Sequence, residues 1–207
     1  MLITSQFEDI RASADSNQDG SKPVPVPYHR FSFSPGFNIV SLPHGKYRAS
    51  SGSQMLQIDA STTGKIDLGQ LRDNACFRFD FEGVSLGCDS ANSPCSFRVS
   101  GLQWNGVEDV VQRSEVFDID ACPDPSNCKL KHLTILIPIY TNLTSVNISL
   151  LKESESKTWW IDDLQLAWTD DDCSVAACRS RVPNTASGAS GTIVGRAKTL
   201  LRWAVRG

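Results

Sequence analysis

Hydrophobic and polar residues alternate in short bursts along most of this chain. In CFRFDFEGV, Phe77, Phe79 and Phe81 fall on one side of an extended backbone and Arg78 and Asp80 on the other. In SVNISLL, Val146, Ile148 and Leu150 share one face, and Asn147 and Ser149 share the opposite one. LITSQFEDI, FNIVSL, QMLQIDA, KIDLG, SFRVSGLQW, LTILIPIY and KTWWIDDLQLAW are further predicted strands, separated by Gly, Pro, Asn, Asp and Ser. Prolines at 23, 25 and 27 hold PVPVPYHRFSF extended and near the surface, because proline supplies no ladder N–H. Many short strands with turn signals and no sustained helical period predict an all-β sandwich or jelly roll.

The pattern changes after Trp168. TDDDCSVAACRSRV is predicted to be a small disulfide loop, and PNTASGASG has the composition of a flexible linker. In TIVGRAKTLLRWAVRG, Ile193, Ala197, Leu200, Leu201 and Ala204 lie near one helical face, with Arg196, Lys198, Arg202 and Arg206 adding charge. This predicts a short basic amphipathic helix. The expected organisation is a sandwich over residues 1–182 and a linker with helix over 183–207. That helix is a candidate for packing on its own domain, for a membrane surface or partner, or for homo-oligomer contacts.

Hydrophobic residues form 40% of the chain and charged residues 21%, enough apolar surface for a core. The net charge of −3 lacks the basic surface a general nucleic-acid binder needs. No apolar run reaches the roughly 18 residues of a membrane span. Proximity pairs Cys88 with Cys95, Cys122 with Cys128, and Cys173 with Cys178, across loop-like segments. Cys76 is left over as an expected buried free thiol. Zinc motifs favour C-x2-4-C spacing with a second pair or histidines nearby; Cys173–Cys178 has the only such spacing and no histidine follows it, so disulfides are the better expectation. The sequons at Asn142 and Asn147 add to an oxidising, secretory route. The opening MLITSQFEDI has no leader pattern, so the expectation is a secreted or secretory-lumen protein whose signal peptide gave way to an initiator Met.

Several residues are candidates for chemistry. Gly83-Val-Ser85-Leu-Gly87 matches G-x-S-x-G literally, with His132 the possible base downstream. A nucleophile elbow needs a helix after the serine, but a disulfide loop with Pro94 follows, so a glycine-rich strand end is expected instead. Asp162 falls in the apolar phase of Trp160, Leu164, Leu166 and Trp168, where a carboxylate needs a partner. With Glu8, Asp9 and Asp163 it could hold a structural Ca²⁺ through oxygen ligands, if the first and last strands are neighbours. Tyr28, His29 and Arg30 follow the rigid proline segment and are candidates to face a ligand. Trp104, Trp159 and Trp160 supply aromatic surface for a sugar or a planar apolar molecule. No phosphate loop, dinucleotide fingerprint or haem motif is present, so no organic cofactor is expected.

ITSQFEDI, PVPVPYHRFSFSPGF, FRFDFEGVSLGCDS, CSFRVSGLQW and TWWIDDLQLAW with its CSVAACRSRV loop together resemble a family of secreted fungal β-sandwich domains over about residues 2–182. FEDI and IDDL also look like the first and last strands of carbohydrate-binding jelly rolls. That likeness implies a structural Ca²⁺ held by Glu8, Asp162 and Asp163. The chain further resembles the cofactor-free hetero-Diels–Alderases of fungal tropolone-sesquiterpenoid biosynthesis. This resemblance implies an apolar pocket that aligns a quinone methide with a terpene, Tyr28, His29 and Arg30 as donors, and Trp104 and Trp159 as ligand-binding walls. Two functions follow as expectations. One is a cofactor-free cyclase; the alternative is a secreted carbohydrate- or cell-wall-binding module.

Overall fold

The structure is a computed structural model that describes residues 2–5, 7, 21–41, 47–123, 128–135, 139–151 and 158–182. The predicted C-terminal helix and Glu8 lie outside these residues. In chain order the strands are β1 (Leu2–Ser5), β2 (Lys22–Pro23), β3 (Ser32–Phe33), β4 (Asn38–Ser41), β5 (Tyr47–Arg48), β6 (Gln54–Asp59) and β7 (Gly64–Asp67). They continue with β8 (Phe79–Cys88), β9 (Cys95–Trp104), β10 (Asp109–Ile119), β11 (Cys128–Lys129), β12 (Lys131–Thr134), β13 (Ser145–Leu150) and β14 (Thr158–Trp168), followed by helix α1 (Cys173–Arg181).

A seven-stranded sheet runs β12-β8-β14-β6-β4-β2, with β1 also pairing β14, and a five-stranded sheet runs β10-β9-β13-β7-β3. All their pairings are antiparallel. First and last strands do lie side by side, with Leu2 opposite Ala167. The main core fills the space between the sheets. Phe79, Phe81, Val84, Leu86, Trp159, Ile161 and Leu164 enter it from the larger sheet, and Phe97, Val99, Val146, Ile148 and Ile66 from the smaller. This is the sandwich that strand alternation predicts, each strand giving one face to the core and one to solvent.

Two elements differ from the sequence pattern. Residues 109–119 form a long strand at the edge of the smaller sheet. The pattern hides it because Val110, Val111 and Val116 are exposed beside charged neighbours, so burial does not alternate. CSVAACRSRV is a helix instead of a disulfide loop. Cys173 and Cys178 sit five positions apart on it, about 140° around the axis, and cannot face each other. Cys178 bonds Cys76, with their Cα atoms 6.1 Å apart, while Cys173 is free and exposed. The pairing of Cys173 with Cys178 and the free thiol at Cys76 are therefore corrected. Cys88–Cys95 and Cys122–Cys128 are disulfides, with Cα separations of 6.4 and 5.8 Å.

The larger sheet changes phase halfway along. On β14, Trp159 and Ile161 point into the sandwich core, and below them Leu164, Leu166 and Trp168 do so. The extra residue lies between Asp162, opposite Ser85, and Gln165, opposite Gly83. It is a β-bulge, with Asp163 in the left-handed region at φ 47°. On β8 the inward set likewise passes from Phe79 and Phe81 to Val84 and Leu86. Asp162 therefore does not share a face with Leu164, Leu166 and Trp168. It goes with Trp160 to the outer face of the sheet.

That outer face carries a second, smaller core of Val40, Met55, Trp160, Tyr47, Cys128 and Leu130. Its cover is a separate two-stranded parallel ribbon of β5 and β11. Tyr47 packs against Trp160 with ring centroids 5.0 Å apart and donates its hydroxyl to the Cys88 carbonyl at 2.5 Å. The Cys122–Cys128 bond ties the ribbon at its other strand.

Candidate binding site: a polar pocket beside the ribbon

Where the ribbon ends, the outer face opens into a pocket of about 330 Å³, lined by Arg48, Ala49, Ser50, Ser85, Lys129, Leu130, His132 and Asp163. Strand register builds its floor. His132 on β12 and Asp162 on β14 both lie opposite Ser85 on β8, so the three residues form a row across the sheet. Ser85 is fully buried; His132 is exposed. Ser85 Oγ lies 3.1 Å from His132 Nδ1 and donates to Asp163 Oδ2 at 3.4 Å. When it does so, its lone pair accepts the Nδ1–H of the imidazole. Imidazole, hydroxyl and carboxylate then form one hydrogen-bonded relay.

The two aspartates play different parts. Asp162 accepts backbone N–H groups from Ser51 at 3.0 Å and from Asp163 at 2.8 Å. Burial pushes its carboxyl up to about 6, against those two N–H groups, which favour the charged form, and with a smaller contribution from the neighbouring Asp163 charge. It holds the bulge. Asp163, half-buried, is turned by its left-handed backbone toward the pocket and also accepts the Ser51 hydroxyl at 2.5 Å.

The G-x-S-x-G spacing acquires a packing explanation here. A Cβ on Gly83 would lie 3.0 Å from Gln165 Oε1 and from the Leu133 carbonyl oxygen and 3.2 Å from His132 Nε2, so the missing side chain leaves room for all three over the strand. A Cβ on Gly87 would meet Leu130 at 2.6 Å and Tyr47 at 2.8 Å, so this glycine lets the ribbon seat. The strand runs straight through Ser85 with no helix behind it, unlike a nucleophile elbow.

The other expected site residues lie elsewhere. Tyr28, His29 and Arg30 form a tight turn, with Tyr28 bridged to Phe31 and both His29 and Arg30 at positive φ. Tyr28 is buried and stacks on Phe7 at 5.6 Å, and Arg30 donates to the Arg179 carbonyl at 3.0 Å. The trio thus joins a loop to α1, and none of its members lines the pocket. Trp159, expected at a ligand, is fully buried between the sheets and donates Nε1–H to the Asp59 carbonyl at 3.2 Å; it is a core residue and cannot touch one. Trp104 is partly exposed, but the Arg72 guanidinium covers its ring at 3.7 Å and Asp73 accepts its Nε1–H at 2.6 Å. Asn142 lies in a loop before β13, and Asn147 on the outer face of the smaller sheet. Among the described residues, no three His, Cys, Asp or Glu side chains gather to hold a metal.

Ser85 and His132 each carry a sequence signal, but only the register of three non-consecutive strands shows that they meet. Arg48 and Lys129 have no signal at all, because each lies in a two-residue strand.

Comparison with known proteins gives three kinds of result. A search of curated proteins finds no match. Among solved structures, the chain is similar to the C-terminal family 22 carbohydrate-binding module of Clostridium thermocellum Xyn10B. The identity is 13%, over 81% of this chain and 93% of that one, with a TM-score of 0.43. It is also similar to the K1 cleaved adhesin domain of Lys-gingipain from Porphyromonas gingivalis W83, at 9% identity over 82% and 99% of the two chains and a TM-score of 0.49. A family 30 carbohydrate-binding module is similar at 9% identity over 69% and 80%, with a TM-score of 0.37. A family model, described as domain of unknown function DUF7371, matches residues 2–179, and the chain belongs to that family.

Proposed function

We propose that the chain is a secreted carbohydrate-binding domain whose ligand enters the pocket beside the ribbon. One observation carries this: the row of Ser85, His132 and the aspartate bulge beneath a pocket with only Ala49 and Leu130 as apolar lining. Sugar hydroxyls both donate and accept. Asp163 supplies an acceptor, Arg48 and Lys129 supply donors, and Ser50 and His132 supply either. Mounting on paired strands keeps these groups in fixed positions, which lowers the ordering cost of binding. Three disulfides fit an oxidising route, and no helix among the described residues is long and apolar enough to cross a membrane.

Cycloaddition between two apolar partners calls for a deep, mostly apolar cavity. Six of the eight lining residues are polar or charged, which favours the carbohydrate-binding alternative over that chemistry. Calorimetric titration of the oxidised protein with neutral and acidic oligosaccharides, and with terpenes and tropolone-type aromatics, separates the two. Binding of a sugar that Asp163→Ala weakens at least tenfold is the expected result. Binding of the apolar panel alone would overturn it.

A further inference from the structure

Arg48 and Lys129 stand directly opposite each other on the paired strands of the ribbon, and both line the pocket. Like charges in directly opposed positions repel. Neither side chain has a hydrogen bond or ion pair among the described residues. Some other cations of the fold are engaged: Lys65 sits between Asp67 and Asp109, and Arg179 pairs with Asp171. The carboxylate in the pocket, Asp163, accepts the Ser51 and Ser85 hydroxyls and makes no hydrogen bond or ion pair with either cation. Asp162 is turned to backbone N–H groups beneath it. The pocket therefore gathers two unpaired cations and an imidazole beside the single Asp163 carboxylate, on a protein whose net charge is −3.

The ribbon cannot relieve this repulsion by turning over. Strand alternation sends Tyr47 and Cys128 into the small core, so Arg48 and Lys129 must share the other face. We propose that the ligand of this pocket is an acidic sugar, whose carboxylate sits between Arg48 and Lys129 while its hydroxyls meet Ser50, His132 and Asp163. The carboxylate accepts charge-assisted hydrogen bonds from both cations and cancels the repulsion between them. This rests on the carbohydrate-binding proposal and specifies the class of sugar.

The test is calorimetric titration with a galacturonate trimer and with its fully methyl-esterified form, which keeps the sugar rings and removes the charges. The wild-type chain is expected to prefer the acid at least tenfold. In an Arg48→Gln, Lys129→Gln double variant the preference falls to about onefold, with thermal melting reporting that the fold is kept. An Arg98→Gln, Arg181→Gln variant, which removes two exposed cations outside the pocket, keeps the preference. Equal binding of acid and ester, or an equal loss in the Arg98/Arg181 variant, overturns the inference. If neither trimer binds but a neutral xylose or glucose oligomer does, the acidic specificity fails and the carbohydrate proposal stands. If no sugar binds at all, both fail together.

Discussion

Asp162 accepts the backbone N–H of Asp163 at 2.8 Å, so one carboxylate holds the bulge that aims the next. The first is buried and closed off by main-chain donors; the second is half-buried and lines a pocket.

This division has a pH consequence. Asp162 titrates at about 6 in the fold, above its ordinary value of 3.8. Between those values the folded state holds more protons than the unfolded chain, so stability falls as pH rises. The contribution of this group is complete below pH 3.8 and is lost as pH passes through about 6. Denaturant unfolding is expected to show Asp162 contributing a decline of about 1–3 kcal/mol from acid to neutral pH. Asp162→Asn removes that part of the slope; an unchanged slope in the variant would refute the assignment.

The disulfide pattern is directly testable. Under native, oxidising conditions an alkylating reagent should label Cys173 alone, and peptide mapping without reductant should link the peptides of Cys76 and Cys178. Cys173→Ser should leave the melting temperature unchanged. Cys76→Ser removes a cross-link that closes a long loop and should cost about 2–5 kcal/mol.

Gly87→Ala places a methyl group against Leu130 and Tyr47. Overpacking of this kind costs about 1–3 kcal/mol. The strain falls on the ribbon, so the variant should lose ligand affinity as well as thermal stability. A stable variant with full affinity would show that the ribbon does not wall the site.

Ser85→Ala removes the hydroxyl between His132 and Asp163. His132 is exposed and can turn to water, so a modest loss of about 1 kcal/mol is expected. Sugar affinity should fall further than stability does, because the imidazole is no longer oriented. Thermal melting and titration on the same preparation check both.

Alternation made the sandwich legible in the sequence, since Phe77, Phe79 and Phe81 or Val146 and Ile148 can face a core in only one way. It failed where a residue's face is set by something nonlocal. Asp162 was in phase with Leu164 along the chain, and the bulge at Asp163 broke that phase. Cys178 lay near Cys173 in sequence, and helix geometry sent it to Cys76, 102 positions away. Trp159 and Trp104 carried the same apolar signal, but only one of them is in the core. The pocket was legible in fragments, as a glycine-flanked serine and a lone histidine. Its assembly depends on which strands pair, and single-chain periodicity does not encode that.

The ribbon of β5 and β11 belongs to neither sheet, yet it supplies one wall of the pocket. Tyr47 and Cys128 anchor it, while Arg48 and Lys129 beside them are exposed and line the cavity. Positions 48 and 129 are thus free to vary without disturbing the sandwich. In this architecture the chemistry of the cavity wall can change through two side chains on a ribbon outside both sheets, while the residues that pack the sandwich stay as they are.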